Sequence, residues 1–219
     1  MAQPPAQPKI YHIVHVDRLA SIVADGFLSC DAAMAKRANA GTTIGMSIIK
    51  ERRLTLEIKC HPGLHVGECV PFYFCPRSVM LFLIDCANHP DLAYLGGQEP
   101  IIHLEADQRA AVDWAQQKGK RWAFTLSNAG ARYFEERCDL GQLHEINWDA
   151  VGATKWSGPG ISTLIKEGKQ AEFLLEGRFP WSLVERIGVL SHGIAQQAAS
   201  IMSRAAHRPR IEIKVDWYY

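Results

Sequence analysis

The pattern of apolar and polar positions divides the chain into short strands and short helices. β-Branched and aromatic runs predict strands at 10–16, 70–74, 79–85, 100–105, 121–126, 169–175, 186–191 and 210–215. Apolar positions at helical spacing predict helices at 17–25, 44–53, 106–117, 128–137 and 194–206, with a short one from Pro180. Strands and helices do not alternate strictly, so an α+β architecture is expected rather than a doubly wound sheet.

Two segments have weak periodicity. Residues 29–42 are rich in Ala and fit either a loose helix or a loop, whereas residues 147–168 carry several Gly and predict a long functional loop.

The first eight residues are rich in Pro, Gln and Ala and lack an apolar run. They predict a disordered leader at 1–8 without a secretory signal, followed by a single domain at 9–219.

Composition narrows the class of partner. The 219 residues include 24 Lys plus Arg against 23 Asp plus Glu, which gives a formal net charge of +1. This balance excludes a protein that binds polyanions by bulk charge, so any basic patch must be local. The chain has no stretch near the roughly 20 apolar residues of a membrane-spanning helix. Its six cysteines include no C-x-x-C, so we expect a reduced, cytoplasmic protein without a membrane partner.

The first chemical candidate is a metal site. Cys60, His61, His65 and Cys69 place four ligand-type side chains within ten residues, and such a set suits Zn²⁺. However, the order Cys-His-x3-His-x3-Cys is not a common finger spacing, and a Pro-Gly turn explains the segment equally well. We therefore expect no metal.

Familiar nucleotide and nucleophile motifs do not occur. The chain contains neither G-x-G-x-x-G nor G-x-x-x-x-G-K-[ST], which removes support for Rossmann and P-loop nucleotide binding. Cys75 lies in an apolar context typical of packing. Ser191-His192 lacks the G-x-S-x-G elbow of a hydrolase nucleophile.

A more informative feature is a carboxylate inside a predicted strand. Alternation places Gln170 and Glu172 on one face of strand 169–175 and apolar residues on the other. Glu172 is either an exposed residue of an edge strand or a catalytic carboxylate on a rigid element. His12 presents a similar choice, because a lone strand histidine is usually structural, yet Tyr11 and His15 lie beside it.

Seven strings occur in order along the chain: IYHI at 10–13, IKERR at 49–53, VPFYFCPRSVML at 70–81, GGQEPI at 96–101, QAEFL at 170–174, FPW at 179–181 and DWYY at 216–219. Together they make the chain resemble the DarT family of DNA ADP-ribosyltransferase toxins over nearly its whole length. The resemblance implies an ADP-ribosyltransferase fold, with central β-sheets around an NAD-binding cleft and peripheral helices. It also implies NAD⁺ as co-substrate and transfer of ADP-ribose to a base in single-stranded DNA, with thymidine N3 as acceptor and nicotinamide released. A macrodomain antitoxin is the implied protein partner.

The resemblance assigns roles to individual residues. It makes Glu172 and Arg53 the catalytic pair, and Gln170-x-Glu172 matches the Q/E-x-E pattern of the fold. The residues that it places against NAD⁺ are His12, Ile13, Val14, Tyr73 and Arg53. Two positions depart from the family pattern, since Val14 replaces a common Thr and Arg18 a common Asn.

For DNA, the resemblance places the acceptor-recognition loop at 147–168. Candidate DNA-binding residues are Lys50, Arg52, Met80, Lys155, Trp156, Lys166 and Lys169. Glu172 is expected to stabilise the positive charge that develops on the ribose and to act as base. Arg53 either polarises the base carbonyl or binds the diphosphate. Two alternatives stay open: an ADP-ribosyltransferase that modifies RNA or protein, and a non-catalytic module that binds single-stranded nucleic acid.

Overall fold

A largely antiparallel sheet of eight strands forms the centre of the molecule. The computed structural model describes residues 2–38 and 41–219. The strands are β1 (Lys9–His15), β2 (Phe27–Ser29), β3 (Cys69–Tyr73), β4 (Ile101–Asp107), β5 (Trp122–Thr125), β6 (Glu136–Arg137), β7 (Glu172–Glu176), β8 (Arg178–Pro180), β9 (Val184–Val189) and β10 (Arg210–Ile213). The order in the large sheet is β10-β9-β4-β1-β3-β7-β5-β6, and β2 pairs separately with β8.

Within the described ranges, eight short helices surround the sheet, and the expected α+β class is confirmed. They are α1 (Leu19–Asp25), α2 (Asp31–Met34), α3 (Ser47–Arg53), α4 (Val79–Cys86), α5 (Gln108–Gln117), α6 (Trp148–Gly152), α7 (Thr163–Gly168) and α8 (His192–Ile201). Single 3₁₀ turns lie at Val16–Arg18, Val66–Glu68, Leu140–Glu145, Trp181–Leu183 and Val215–Trp217. Among the described residues, no helix combines the length and the apolar character needed to cross a lipid bilayer.

The centre of the sheet is held by buried aromatic side chains. Phe72 on β3 packs against Phe179 and Phe173 with ring centroids 4.5 Å and 6.4 Å away. All three side chains are fully buried, and burying each stabilises the fold by about 1.5–3 kcal/mol. These contacts fix β3 against β7 in a register that pairs Tyr73 with Glu172. The candidate carboxylate therefore lies on a strand that is held in register by buried aromatic packing.

The predicted strand at 79–85 is wrong, because this segment forms helix α4. The Ser78 hydroxyl accepts a hydrogen bond from the Leu81 amide and caps the helix, and Ala87 ends it in a left-handed conformation with φ +48°. A short apolar run fits a buried helix as well as a strand. The Ser78 cap therefore favours a helix over a strand in this segment.

The predicted helix at 128–137 is also wrong. The Asn128 side chain accepts a hydrogen bond from the Gly130 amide, and this local bond competes with helix formation. The segment turns and returns to the sheet as β6, which pairs with β5. The loop predicted at 147–168 contains α6 and α7, and the strand predicted at 169–175 begins only at Glu172.

The N-terminal region agrees with the prediction only in part. Helix α1 ends at Gly26 with φ +76°, but Asp17 does not cap it and instead accepts hydrogen bonds from Thr42. The undecided segment 29–42 contains α2, and its residues 39–40 lie outside the described residues. In the predicted disordered leader, the described residues 2–8 include no helix or strand, yet the Pro8 carbonyl accepts a hydrogen bond from Gln108 in α5. Met1 is not described.

Candidate active site

A buried ion pair joins Arg53, the last residue of α3, to Glu172, the first residue of β7. Nη2 of Arg53 lies 2.9 Å from Oε2 of Glu172, and Nη1 lies 3.2 Å from Oε1. The two residues are only 7% and 3% exposed, so the reading of Glu172 as an exposed edge-strand residue is wrong. Burial alone lowers the pKa of Arg53, but the Glu172 carboxylate outweighs it and raises that pKa above its usual value. The guanidinium is therefore a permanent cation beside the carboxylate.

The carboxylate is held by further bonds from the start of the loop after β5. The Ala129 amide donates to Oε1 of Glu172 at 3.1 Å. The Glu172 amide donates to the Thr125 hydroxyl at 3.0 Å, and that hydroxyl donates to the Ser127 carbonyl at 2.6 Å. Asn128 donates to the Gln170 side chain at 3.0 Å. Glu172 is thus oriented by a hydrogen-bond network from Arg53, Ala129 and Thr125.

Thr125→Val is expected to lower kcat while leaving KM for NAD⁺ nearly unchanged. Val keeps the volume of the buried side chain but leaves the Glu172 amide and the Ser127 carbonyl without partners. Each unsatisfied buried group costs about 1–3 kcal/mol, so the free energy of unfolding should fall as well. Steady-state kinetics and urea unfolding measure the two effects.

Thr125→Ser is the matched control, because it retains the hydroxyl and should restore kcat. If Thr125→Val turned over as fast as Thr125→Ser, the hydroxyl would have no part in positioning Glu172.

Two clefts meet at Glu172. The first, of about 750 Å³, is lined by His12, Ile13, Val14, Arg18, Ser29, Asp31, Met34, Ile44, Gly45, Lys50, Pro71, Tyr73, Met80 and Glu172. The second, of about 640 Å³, is lined by Gly45, Met46, Ile49, Lys50, Tyr73, Val79, Met80, Leu83, Asn128, Gln170 and Glu172. Lys50, Tyr73, Met80 and Glu172 face both clefts. One carboxylate therefore contacts two neighbouring binding spaces.

His12 presents a neutral imidazole to the first cleft. Burial lowers the pKa of His12 to about 4, and Nδ1 lies 2.8 Å from the Pro71 carbonyl, to which the neutral ring donates its proton. Nε2 is then left as an acceptor for a hydroxyl group. Burial, and secondly the Glu172 charge, raise the pKa of Tyr73, so the phenol also stays neutral. The first cleft thus places two neutral polar groups, the His12 imidazole and the Tyr73 phenol, beside the Glu172 carboxylate.

The free energy of unfolding is expected to fall as the pH drops from about 6.5 to about 4. The pKa of His12 is about 4 when folded, against about 6.5 when unfolded. A depressed folded pKa means that the stabilisation is complete above the unfolded pKa and is lost as pH falls towards the folded one. At pH 5 the loss would reach about 2 kcal/mol for such a histidine.

Urea unfolding at pH 7 and pH 5 measures this dependence. His12→Gln should reduce it, whereas His192→Gln, an exposed control on α8, should not. Equal pH dependence in all three proteins would contradict a neutral, buried His12.

The structure separates the predicted binding residues into groups. His12, Ile13, Val14 and Tyr73 line the first cleft, as the resemblance requires of NAD⁺-binding residues. Arg53 lies behind Glu172 and lines neither cleft, and its contact with NAD⁺ stays a prediction.

The predicted DNA-binding residues divide in the same way. Lys50 and Met80 line both clefts, with Lys50 also 3.1 Å from Asp31. Arg52, Lys155 and Lys166 are exposed.

Two predicted DNA-binding residues are buried and are corrected here. Lys169 is 3% exposed, because its ammonium donates to the carbonyls of Val151 and Ala153 at 2.7 Å and 2.8 Å and so caps the end of α6. Trp156 is 8% exposed, since its ring packs on Phe82 and its indole donates to the Tyr219 hydroxyl. Both side chains hold the segment between α6 and β7 in place.

Sequence reasoning missed several groups at the site. Arg18 was noticed only as a departure from the family pattern, yet it lines the first cleft and its buried Nε has no hydrogen-bond partner among the described residues. Asp31 lines the same cleft and lay in the segment left undecided. The Ala129 amide gives no signal in the sequence, because every residue except proline has a backbone N–H donor. Asn128 followed a predicted strand and was assigned to a helix.

A family profile and individual relatives both match this chain over nearly its whole length. The family profile described as "ssDNA thymidine ADP-ribosyltransferase, DarT" matches residues 11–219. A DNA ADP-ribosyl transferase from Thermus sp. (strain 2.9) is 36% identical over 220 residues, covering 98% of each protein. One from Mycobacterium tuberculosis is 24% identical and covers 96% of this chain and 88% of that protein.

The fold of this chain also matches solved structures over nearly its full length. Thermus sp. 2.9 DarT in complex with ADP-ribosylated single-stranded DNA superposes with a TM-score of 0.88 at 34% identity, covering 100% of this chain and 99% of that one. Its complex with NAD⁺ gives a TM-score of 0.82 at 32% identity, with 98% and 99% covered. The expected ADP-ribosyltransferase fold is confirmed. The chain belongs to the DarT family of single-stranded DNA thymidine ADP-ribosyltransferases.

Proposed function

We propose that this enzyme transfers ADP-ribose from NAD⁺ to thymidine in single-stranded DNA and releases nicotinamide. The observation that carries the proposal is the position of Glu172 at the junction of the two clefts, where one carboxylate can contact both reactants. We assign NAD⁺ to the first cleft and the acceptor base to the second. Family membership supports this division.

On the NAD⁺ side, the carboxylate stabilises the bond-breaking step. Cleavage of the nicotinamide–ribose bond leaves positive charge on the ribose, and a fixed anion lowers the energy of that state. Nε2 of His12 accepts a hydrogen bond from a ribose hydroxyl. Arg18 and Lys50, the two cations of this cleft, are suited to the diphosphate. No metal is needed for this chemistry.

On the DNA side, Glu172 acts as base. It takes the proton from N3 of thymine, the N3 electron pair bonds to C1′ of the ribose, and the C1′–nitrogen bond to nicotinamide breaks. Arg53 lies behind the carboxylate, orients it through two charge-assisted hydrogen bonds and compensates its negative charge before the proton is taken. A base pair hides N3, which explains the need for single-stranded DNA.

We propose a short DNA footprint. Lys50 and Met80 contact the target nucleotide at the second cleft, and the exposed Arg52, Lys155 and Lys166 contact neighbouring phosphates. A net charge of +1 limits the number of phosphates that can be neutralised. The salt dependence of DNA binding should therefore be shallow.

Mass spectrometry of defined oligonucleotides tests the function. With NAD⁺, a single-stranded oligonucleotide that contains thymidine should gain one ADP-ribose, whereas its annealed duplex and a thymidine-free control should not. Fragmentation that places the adduct on N3 would support the proposed acceptor atom. Modification of an RNA or protein acceptor instead would favour the first alternative, and DNA binding without turnover the second.

We further propose that residues 9–219 act as one domain, because the large sheet takes strands from Lys9 to Ile213. A DNA substrate is consistent with a cytoplasmic location. The macrodomain antitoxin implied by the resemblance is proposed as the protein partner. In support, the Thermosipho africanus DarTG chain, solved with ADP-ribose, shares the fold at a TM-score of 0.70 and 15% identity over 51% of its length. Co-purification of the catalytically inactive enzyme with a co-encoded macrodomain would test the pairing.

A further inference from the structure

A cluster of two thiols and one imidazole lies outside both clefts. Cys60 and His61 belong to the turn before β3, and Cys138 follows β6. The two sulfur atoms and a ring nitrogen of His61 all lie within 4.8 Å of one another. Cys60 and His61 are half-buried and Cys138 is exposed. We propose that these three side chains bind a thiophilic divalent cation of the zinc type, which has a structural role and takes no part in the transfer reaction.

This set differs from the one that the sequence suggested. Cys69 is buried on β3, where its thiol contacts the His65 carbonyl, and the His65 side chain pairs with Glu68 at 3.1 Å. Neither residue belongs to the group of ligand atoms around Cys60. The sheet instead supplies Cys138 from a distant part of the sequence, because β6 returns to the edge beside the turn. The ligands are still thiolate and imidazole groups, but Cys138 takes the place of both His65 and Cys69.

One ring nitrogen of His61 already has a hydrogen-bond partner, which leaves the other for a metal. Its Nε2 lies 2.8 Å from the Trp122 carbonyl, and only a ring that donates its proton there satisfies that contact. Nδ1 is then deprotonated and has a free electron pair. Histidines that bind metals commonly donate the other ring N–H to a carbonyl or carboxylate, which fixes both tautomer and orientation. The Trp122 carbonyl has this function here.

The geometry needs little adjustment to close around an ion. Zinc binds sulfur at about 2.3 Å and nitrogen at about 2.0–2.1 Å, so tetrahedral ligands lie about 3.5–3.8 Å apart. The present upper limit of 4.8 Å leaves roughly 1 Å of side-chain movement. Two thiolates neutralise a divalent charge, and the exposed side of Cys138 gives an entry path with a fourth position for water.

The two segments that carry the ligands are already joined. Oε1 of Glu136 accepts hydrogen bonds from the amides of Lys59 and Cys60 at 2.7 Å and 3.3 Å. Because β6 ends the loop that carries the Ala129 amide, a bound cation would add a second link between this loop and the turn before β3. The cation would therefore stabilise the acceptor side of the active site against unfolding.

Cobalt binding to the reduced, metal-free full-length protein tests the site. Addition of Co²⁺ without oxygen should give thiolate-to-cobalt charge-transfer bands and tetrahedral d–d bands that saturate at one equivalent, and Zn²⁺ should bleach them. Zn²⁺ should also raise the unfolding temperature by mass action.

Cys138→Ser removes one exposed ligand and leaves the packing intact. It should lose the charge-transfer bands and weaken cation binding by more than about 100-fold, beyond the range for losing an outer hydrogen-bond partner. Cys86→Ser, a half-buried cysteine on α4, is the matched control and should bind cobalt like the parent protein.

Three results would overturn the proposal. One is an absence of charge-transfer bands in the reduced protein, and another is their persistence in Cys138→Ser. The third is a protein that binds no cobalt yet forms a Cys60–Cys138 disulfide with a mild disulfide oxidant, which would make the cluster a redox pair. None of these results depends on ADP-ribose transfer, so the proposed function is tested separately.

Discussion

Glu172→Gln is expected to lower the rate of ADP-ribose transfer to single-stranded DNA by about 10³-fold or more. The amide keeps the shape of the side chain but loses the negative charge that faces the developing cation, and it cannot take the proton from the base. Both contributions are lost together, so kcat should fall far more than KM. Initial rates with labelled NAD⁺ and a thymidine-containing oligonucleotide measure the effect.

Glu176→Gln is the matched control, since Glu176 ends the same strand and pairs with Arg121 at 2.8 Å. It should retain activity. The Glu172 substitution also leaves the buried Arg53 guanidinium unpaired, and breaking a buried pair costs about 3–5 kcal/mol. Circular dichroism must therefore show a folded protein at the assay temperature. A folded Glu172→Gln enzyme with a rate within tenfold of the parent would remove Glu172 from the chemistry.

Arg53→Ala should cause the second largest loss, about 10²–10³-fold in rate, the range for removal of a preorganised electrostatic group. Without the guanidinium, Glu172 keeps the Ala129 amide but loses both charge-assisted bonds that orient it. The buried carboxylate then lacks the cation that compensates its charge, so it is held less firmly where the ribose cation develops. Circular dichroism at the assay temperature separates this effect from a simple loss of fold.

Arg52→Ala provides the matched control for stability, because Arg52 is the exposed neighbour on α3. It should change the free energy of unfolding by no more than about 0.5 kcal/mol, whereas Arg53→Ala should lower it by about 3–5 kcal/mol. Arg53→Met combined with Glu172→Gln should regain part of that stability but none of the activity. If a folded Arg53→Ala enzyme kept the parental rate, Arg53 would be a structural residue only.

Most of the sheet could be predicted because its strands are dense in β-branched and aromatic residues. Strands β1, β3 and β4 lie within a residue or two of their predicted bounds, and each is buried between two neighbours. The prediction failed at 79–85 and 128–137, where single polar side chains set the conformation. Ser78 caps a helix that the apolar run alone does not reveal, and Asn128 bends a segment that otherwise reads as helical.

The site was predictable in a different way. Strand alternation alone makes Glu172 a candidate, but Arg53 and its pairing with Glu172 come from the family strings, since nothing in local periodicity shows that residues from α3 and β7 meet. Burial decided the remaining assignments, because Lys169 and Trp156 look like DNA-binding residues only until their partners are known. A charged or aromatic side chain in a loop usually has a binding partner. Here the partners lie within the protein: the Val151 carbonyl for Lys169 and the Tyr219 hydroxyl for Trp156.

The buried ammonium of Lys169 closes the segment 154–168 into a loop whose two ends are held together. Because Lys169 holds the carbonyls of Val151 and Ala153, the two ends of this segment are fixed next to each other whatever lies between them. Insertions or replacements between 154 and 168 can then change the exposed surface of this segment without moving Glu172, three residues beyond the tether. The acceptor-recognition role that the family resemblance implies for this segment would let its surface diverge while the chemistry stays constant.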